Sequence, residues 1–171
     1  MMFLPPAYRR LKRAPQVMLP KDIGFVIAYT GITKESKCFD AGTGSGWLAI
    51  SLARVAKEVT SYEQNDEFMK LAQKNAANER LRNLRIKKGD PIKRIVEKNL
   101  DLVTLDMPES DKAVPNAFKA LKGGGYLFGY LPHVEQVKRF VKALNRLKFA
   151  DVEVYEIIAR DMMVRKEGMR P

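Results

Sequence analysis

Two rhythms of apolar positions alternate along the chain. Ile23, Phe25, Val26, Ile27 and Tyr29 recur with a helical period between Pro20, which suits a first helical turn, and Gly31, which suits a helix end. Residues 37–40 are a short apolar run and predict a first strand, while 47–56 return to the helical period. Residues 59–63 are β-branched and short, a second strand. Asn65, Asp66 and Glu67 then offer helix-capping chemistry ahead of a face made by Phe68, Leu71, Ala72, Asn75 and Ala76. Residues 84–88 alternate as a third strand, and a short helix is expected to carry Ile92, Ile95 and Val96. Residues 100–105 predict a fourth strand, 113–121 a helix closed by Gly123, Gly124 and Gly125, and 126–131 a fifth strand. Val134, Val137, Phe140, Val141 and Leu144 mark an amphipathic helix, and 152–158 alternate as a sixth strand. Strands alternating with helices imply an α/β fold: a doubly wound, mostly parallel sheet with helices on both faces and ligands at the strand carboxyl ends. Residues 1–14 hold Pro5, Pro6 and a basic cluster without periodicity, and read as an N-terminal arm ahead of one domain over 15–171.

Composition narrows the class. At 171 residues one domain with a substantial core is expected. No apolar run reaches the length of a membrane span, and a cytoplasmic setting is expected. The lone Cys38 excludes a disulfide framework, and one histidine, His133, with no Cys/His spacing, gives no metal site. The formal charge of +11 is the stronger signal. Its basic residues bunch at 9–13, 80–88 and 138–148, which favours a nucleic-acid partner over a uniformly lysine-rich surface.

The candidate chemistry centres on Asp40-Ala41-Gly42-Thr43-Gly44-Ser45-Gly46-Trp47. A strand ends in an acid, glycines permit a tight turn with close approach to a ligand, and a helix begins with its free N–H groups over that turn. Four strands end at acids: Asp40, Glu63, Asp90 and Asp106. In a doubly wound sheet these line one crevice, where Glu63, about twenty residues beyond the turn, suits ribose hydroxyls. Asp90 suits an adenine amino group, and Asp40 a cationic cofactor tail through water or the turn backbone. The spacing Gly42-x-Gly44-x-Gly46 differs from the dinucleotide fingerprint, and the preceding acid would repel a pyrophosphate. A sulfonium cofactor, S-adenosylmethionine, suits acids better. Trp47 either touches the cofactor or packs beneath the loop. His133 reads as a capping residue, and Tyr8 and Tyr130 as stacking or packing residues.

At these residues the chain resembles the class I S-adenosylmethionine methyltransferases, whose sheet is Rossmann-like, and more narrowly the tRNA adenine-N1 methyltransferases that act in the T-loop. The likeness rests on 40–46, on Ser61-Tyr62-Glu63-Gln64, on Leu105-Asp106-Met107-Pro108 and on Val134-Glu135-Gln136-Val137. It extends to Pro15-Gln16-Val17-Met18-Leu19-Pro20-Lys21-Asp22, similar to the family segment that covers the cofactor, and to 156–161 and 169–171. The resemblance implies a cofactor held by Gly42, Thr43, Gly44, Ser45, Gly46 and Trp47 at the methionine portion. It places Glu63 and Gln64 at the ribose, Asp90 near the adenine, and Asp106 where methyl donor and target base meet, as the catalytic residue. It implies tRNA as substrate and a homo-oligomer, dimer or tetramer, or pairing with a paralogous subunit.

Three features depart from the family pattern. Its small β-rich N-terminal domain has no counterpart in the roughly fifteen residues before the match. The aromatic after its fourth motif is replaced by Pro108-Glu109-Ser110-Asp111. Its final strand is either supplied by Met162–Arg165 or absent, leaving a shortened sheet. Two other functions remain open from sequence: methylation of a small molecule or protein carboxylate, and a non-catalytic RNA-binding partner subunit.

Overall fold

The computed structural model describes residues 4–14, 16–165 and 168–170. Pro15, at the head of the cofactor-covering segment, and Pro171 lie outside them. Five strands form one sheet: β1 (Lys37–Ala41), β2 (Glu58–Glu63), β3 (Leu84–Lys88), β4 (Leu100–Leu105) and β5 (Leu121–Gly129). Their order is β3-β2-β1-β4-β5, and every neighbouring pair is parallel. The order reverses direction beside β1, so the crevice above β1 and β4 is the topological switch point of the sheet.

Pleating divides the core. Cys38 and Leu102 face one cluster with Ile23 and Val26 of α2 (Pro20–Thr30) and Trp47, Ile50 and Leu52 of α3 (Trp47–Ala53). Phe39, Val103 and Leu105 face the other, with Val114 and Ala117 of α5 (Ser110–Ala120) and Phe140 and Leu144 of α6 (Val134–Asn145). α4 (Asp66–Asn78) lies on the first face, where Ala76 packs against that cluster. The sheet is doubly wound, as the alternation of elements implied. Cys38 is a core residue: burial pushes its thiol up to about 12.

The arm is tied to this body. Its one turn of helix, α1 (Pro6–Arg9), sets the Tyr8 hydroxyl 2.8 Å from Ser51 Oγ, and Leu11 is buried. Lys12 exchanges two backbone hydrogen bonds with the side chain of Asn75 on α4.

Three sequence expectations are corrected. The short helix through Ile92, Ile95 and Val96 is a turn followed by irregular chain. Asn116 Nδ2 donates to the carbonyls of both Pro91 and Ile92, at 2.9 and 2.7 Å, capturing oxygens that a helix would use for its own ladder. The glycine run does not close α5 but lies inside β5. The register jumps from Leu100↔Leu121 to Leu102↔Tyr126, so residues 122–125 stand opposite Asp101 alone as a bulge, and a Cβ on Gly125 would stand 2.7 Å from Leu100 O. The sixth strand over 152–158 is not formed. That segment is instead held to α2, by Lys21 Nζ on Ile157 O at 2.6 Å and by a Tyr29–Tyr155 hydroxyl contact at 2.7 Å.

Nor does Met162–Arg165 extend the sheet. β6 (Met163–Arg165) pairs antiparallel with β7 (Gly168–Arg170) in a separate two-stranded ribbon. Among the described residues the main sheet is therefore the shortened form, with β5 at its edge.

Replacing Asn116 with alanine orphans two carbonyls that the fold has drawn away from helix. The variant is expected to lose about 1–3 kcal/mol in urea denaturation. An unchanged midpoint would show that the turn at 91–93 does not depend on this side chain.

Candidate active site

The site is assembled on three adjacent strand ends. Register sets Asp40 of β1 beside Ser61 of β2 and Thr104 of β4. Ser61 Oγ donates to Asp40 Oδ2 at 2.5 Å, and Thr104 Oγ1 donates to Oδ1 at 2.7 Å. Thr43 Oγ1 meets Ser61 Oγ at 2.5 Å, extending the row to the glycine turn. Asp40 is buried at 1 % exposure. Burial raises its pKa, the two hydroxyls pull it back, the charge of Glu63 raises it again, and the result is about 6. Both its oxygens accept hydroxyl bonds and it is buried, so only its field, not its side chain, reaches the crevice.

The turn above this row is fixed by Glu63. Its Oε2 accepts from Gly44 N at 2.8 Å, while Oε1 accepts from Gln64 N and Asn65 N, both at 2.9 Å. Gly42 stands at φ +87°, and a Cβ there would sit 1.8 Å from the backbone oxygen of Asp106. Asp106 N in turn donates to Ala41 O at 2.8 Å. The glycine turn and the chain leaving β4 are thus in direct backbone contact. Gly46, at φ +85°, lies against Ala72 of α4.

Asp106 occupies the centre of this arrangement. Among the described residues its carboxylate has no hydrogen-bond donor and no cation at ion-pair distance. Burial first, then the charge of Asp40, raises its pKa to about 7. A carboxyl group poised near neutrality with free acceptor positions is the chemical signature of the site. The following loop is held by Gln136 of α6, whose Nε2 donates to Pro108 O at 3.3 Å while its Oε1 accepts from His133 N. His133 is the N-cap position of α6, a structural placement.

The remaining candidates separate by position. Asp90 receives Ile92 N on Oδ1 at 2.9 Å and is partly exposed beside the end of β3. Gln64 is exposed at the crevice rim. Ser45 is buried, and its Oγ has no hydrogen-bond partner among the described residues. Thr43 serves the polar row beneath the turn. Trp47 packs beneath the loop, its ring 5.1 Å from that of Tyr8 and only 3 % exposed, so it does not face the crevice. Two residues of the site were not singled out by sequence. Asn75, fully buried on α4, donates to Ser45 O at 2.8 Å and so joins the arm to the glycine turn. Its signal was an amide on an otherwise apolar helix face. Asp22 of α2, in the segment known only for its likeness to the cofactor cover, is buried, and its Oδ2 has no hydrogen-bond partner among the described residues.

A family model described as "tRNA methyltransferase complex GCD14 subunit" matches residues 9–171. The chain belongs to this family. One relative, the tRNA (adenine(57)-N(1)/adenine(58)-N(1))-methyltransferase TrmI of Methanocaldococcus jannaschii, is 36% identical over 95% of this chain and 68% of its own. The crystal structure of tRNA (m1A58) methyltransferase TrmI from Aquifex aeolicus superposes with a TM-score of 0.89 at 28% identity, covering 98% of this chain and 70% of that one. A SAM-dependent O-methyltransferase structure from Thermotoga maritima gives 0.88 at 32% identity, over 92% and 61%. The chain thus spans about two thirds of the length of these relatives. The Rossmann-like methyltransferase fold expected from the glycine turn is the fold of the GCD14 member described here.

Two outcomes test this geometry. Gly42→Ala must displace the Asp106 backbone, and is expected to cost about 3–5 kcal/mol in thermal or urea unfolding. A near-native midpoint would mean the contact is soft. Asp106→Asn removes a half-buried charge that has no partner among the described residues. Because the folded pKa lies above the unfolded value, the wild type loses stability as pH rises from about 4 to about 7. The asparagine variant is therefore expected to be more stable by about 1–3 kcal/mol above pH 7, a gain that shrinks towards pH 4. A gain independent of pH would refute the assignment.

Proposed function

We propose that this chain is an S-adenosylmethionine-dependent methyltransferase that modifies N1 of adenine in tRNA. The observation that carries the reading is the free carboxylate of Asp106, locked by backbone contact to the glycine turn. Family membership and the named activities of the relatives support the same reaction and substrate.

The residues present fit the cofactor. Glu63 Oε2 already holds Gly44 N and retains a lone pair for a ribose hydroxyl. Asp90 Oδ2 is an acceptor for the adenine amino group. The fields of Asp40 and Glu63 suit a cation and oppose a pyrophosphate, and the turn over 42–46 contains no basic side chain. When bound, the cofactor supplies an electrophilic methyl group.

Asp106 accepts from the exocyclic amino group of the target adenine, which turns N1 towards the donor. N1 attacks with its own lone pair, so the protein's task is orientation more than deprotonation. With a pKa near 7, the same carboxylate is suited to take a proton from the amino group once the ring carries the methyl. Outside the crevice, Lys138 and Lys142 on α6 and Arg146 just after it have, among the described residues, no acidic partner at ion-pair distance, a surface suited to phosphates. The chain works in an assembly, as a homo-oligomer or with a paired subunit, in keeping with the family's description as a complex subunit. It acts in the cytoplasm, and among the described residues no helix is long and apolar enough to cross a membrane.

The test is transfer of labelled methyl from S-adenosylmethionine to unmodified tRNA, with nucleoside analysis of the product. N1-methyladenosine is the expected product. Incorporation into small molecules alone, or no incorporation despite cofactor binding, overturns the tRNA reading. Asp106→Ala is expected to reduce turnover at least 100-fold while cofactor affinity stays within about tenfold. Equal loss of both would make Asp106 a cofactor ligand instead.

A further inference from the structure

We propose that Tyr62 is a specificity-determining positioning residue: its ring and its hydroxyl grip the loop over 89–97 at both ends, and so hold Asp90 where its carboxylate selects a cofactor by the 6-amino group of the purine. The assignment rests on the S-adenosylmethionine reading for its ligand, though not for every readout of its test. The connection from β3 to β4, residues 89–99, forms neither helix nor strand, so no regular backbone ladder fixes the side chains it carries. Asp90 is its second residue. Its Oδ1 accepts from Ile92 N at 2.9 Å, and its carbonyl oxygen accepts from Arg94 N at 3.0 Å. Oδ2 is the oxygen left for a ligand.

Tyr62 touches this loop at two places. At the near end Gly89 lies on the ring: a Cβ there would stand 2.5 Å from Cδ2 and 2.8 Å from Cγ, so only glycine permits the approach. Gly89 N donates to Glu63 O at 3.2 Å, which seats the residue before Asp90 on the end of β2. At the far end the Tyr62 hydroxyl donates to Glu97 Oε2 at 2.9 Å, and Lys87 Nζ donates to Oε1 at 3.0 Å. Parallel register sets Lys87 abreast of Tyr62, and the two side chains converge on one carboxylate. Between the ends, Ile95 is buried in the cluster that contains Tyr62, whose ring meets that of Phe39 edge-on at 4.7 Å.

The grip is made by groups that keep their protonation state. Burial, and then the bond to Glu97, push the Tyr62 phenol up to about 12, so it remains a donor. Burial opposes the Glu97 charge, but the bonds from Lys87, from its own backbone N–H and from Tyr62 outweigh it and hold that carboxyl below its ordinary value. A neutral donor on an ionised acceptor makes a strong hydrogen bond. The backbone of Tyr62 meets the other half of the site, for its carbonyl oxygen accepts from Gly42 N at 3.1 Å. One residue of β2 thus sets the loop carrying Asp90 against the glycine turn. Asn116 holds the carbonyls of Pro91 and Ile92, beyond Asp90, and leaves the residue before it and the far end of the loop to Tyr62.

The test takes two readouts on the wild type, Tyr62→Phe, Glu97→Ala and Glu97→Gln. The first is calorimetric affinity for S-adenosylhomocysteine and for its analogue with hydrogen in place of the 6-amino group. The second is amide hydrogen exchange at Ile92 and Arg94 in the ligand-free protein, since both amides donate to Asp90. The wild type is expected to prefer the 6-amino ligand by about tenfold or more, and Asp90→Ala to abolish that preference. Tyr62→Phe keeps the ring beneath Gly89 and loses the far grip, as Glu97→Ala does. Both are expected to cut the preference at least about threefold and to speed exchange at the two amides about tenfold, while buried Val103 of β4 exchanges as before. Glu97→Gln, which keeps an acceptor for the hydroxyl, should restore most of both. Equal weakening of the two ligands in Tyr62→Phe would overturn the proposal, as would unchanged exchange at Ile92 and Arg94. A wild type that binds both ligands alike would overturn it as well. If exchange responds as expected while the wild type binds neither ligand, the cofactor reading fails and the grip on Asp90 stands.

Discussion

The close approach of Gly42 to the backbone of Asp106 is the constraint on which the rest of the site depends. A glycine at φ +87° allows the turn after β1 to lie directly on the chain leaving β4. No other residue fits, because a Cβ would overlap the Asp106 carbonyl oxygen at 1.8 Å. One consequence is mechanical: the loop suited to a cofactor and the acid suited to a target base cannot move independently. Another is electrostatic. Pressed against the turn, the Asp106 carboxylate lies above buried Asp40, and that neighbour helps to raise its pKa to about 7.

The polar row beneath the turn explains why a sheet interior tolerates a carboxylate. Asp40 sits among fully buried apolar residues such as Phe39, Leu102 and Leu105. Ser61 and Thr104 reach it from both sides because parallel register sets their Cα atoms abreast of its own. An unpaired carboxylate there would be strongly destabilising, whereas two short hydroxyl bonds compensate part of the cost. The row also fixes Thr43 and hence the start of the turn. Stability of the sheet and order of the loop are served by the same hydrogen bonds.

The sequence was most legible where a local signal and a global one coincide. The glycine turn, Glu63 and Asp106 follow apolar runs that can only be buried strands, so type and place were both evident. It was least legible where pairing decides. Residues 152–158 alternate as a strand should, but alternation describes two faces and not an edge to pair with. Here the segment is engaged with Lys21 and Tyr29 of α2 instead, through its Ile157 carbonyl and Tyr155 hydroxyl. The glycine run at 123–125 carries the composition of a helix stop, yet it serves as a bulge because β5 must pass close to Leu100. The turn at 91–93 was hidden for a third reason. Its outcome depends on Asn116, a residue of another element that periodicity around Ile92 cannot see. Trp47 illustrates the same limit at the site, since adjacency to the turn in sequence did not place its ring in the crevice.

Charge is distributed in two opposed shells, and the pairing argues for the reaction class better than either shell alone. The crevice is acidic: Asp22, Asp40, Glu63 and Asp106 gather at the strand ends and the start of α2, with Lys21 as the counter-charge to one of them. The chain as a whole carries +11. A protein that bound a phosphorylated cofactor in its crevice would place cations there, and one acting on a small neutral substrate has no use for a strongly basic exterior. An acidic interior matches a cationic donor and the amino edge of an adenine. A basic exterior matches the polyanion that carries such a base. The boundary between the shells falls at the start of α6, where Gln136 is tied to Pro108 and the exposed Lys138 follows two residues later. Under the proposed reaction, a base entering the crevice from an RNA strand would cross that boundary, with its phosphate on the basic side and its amino group towards the acidic one.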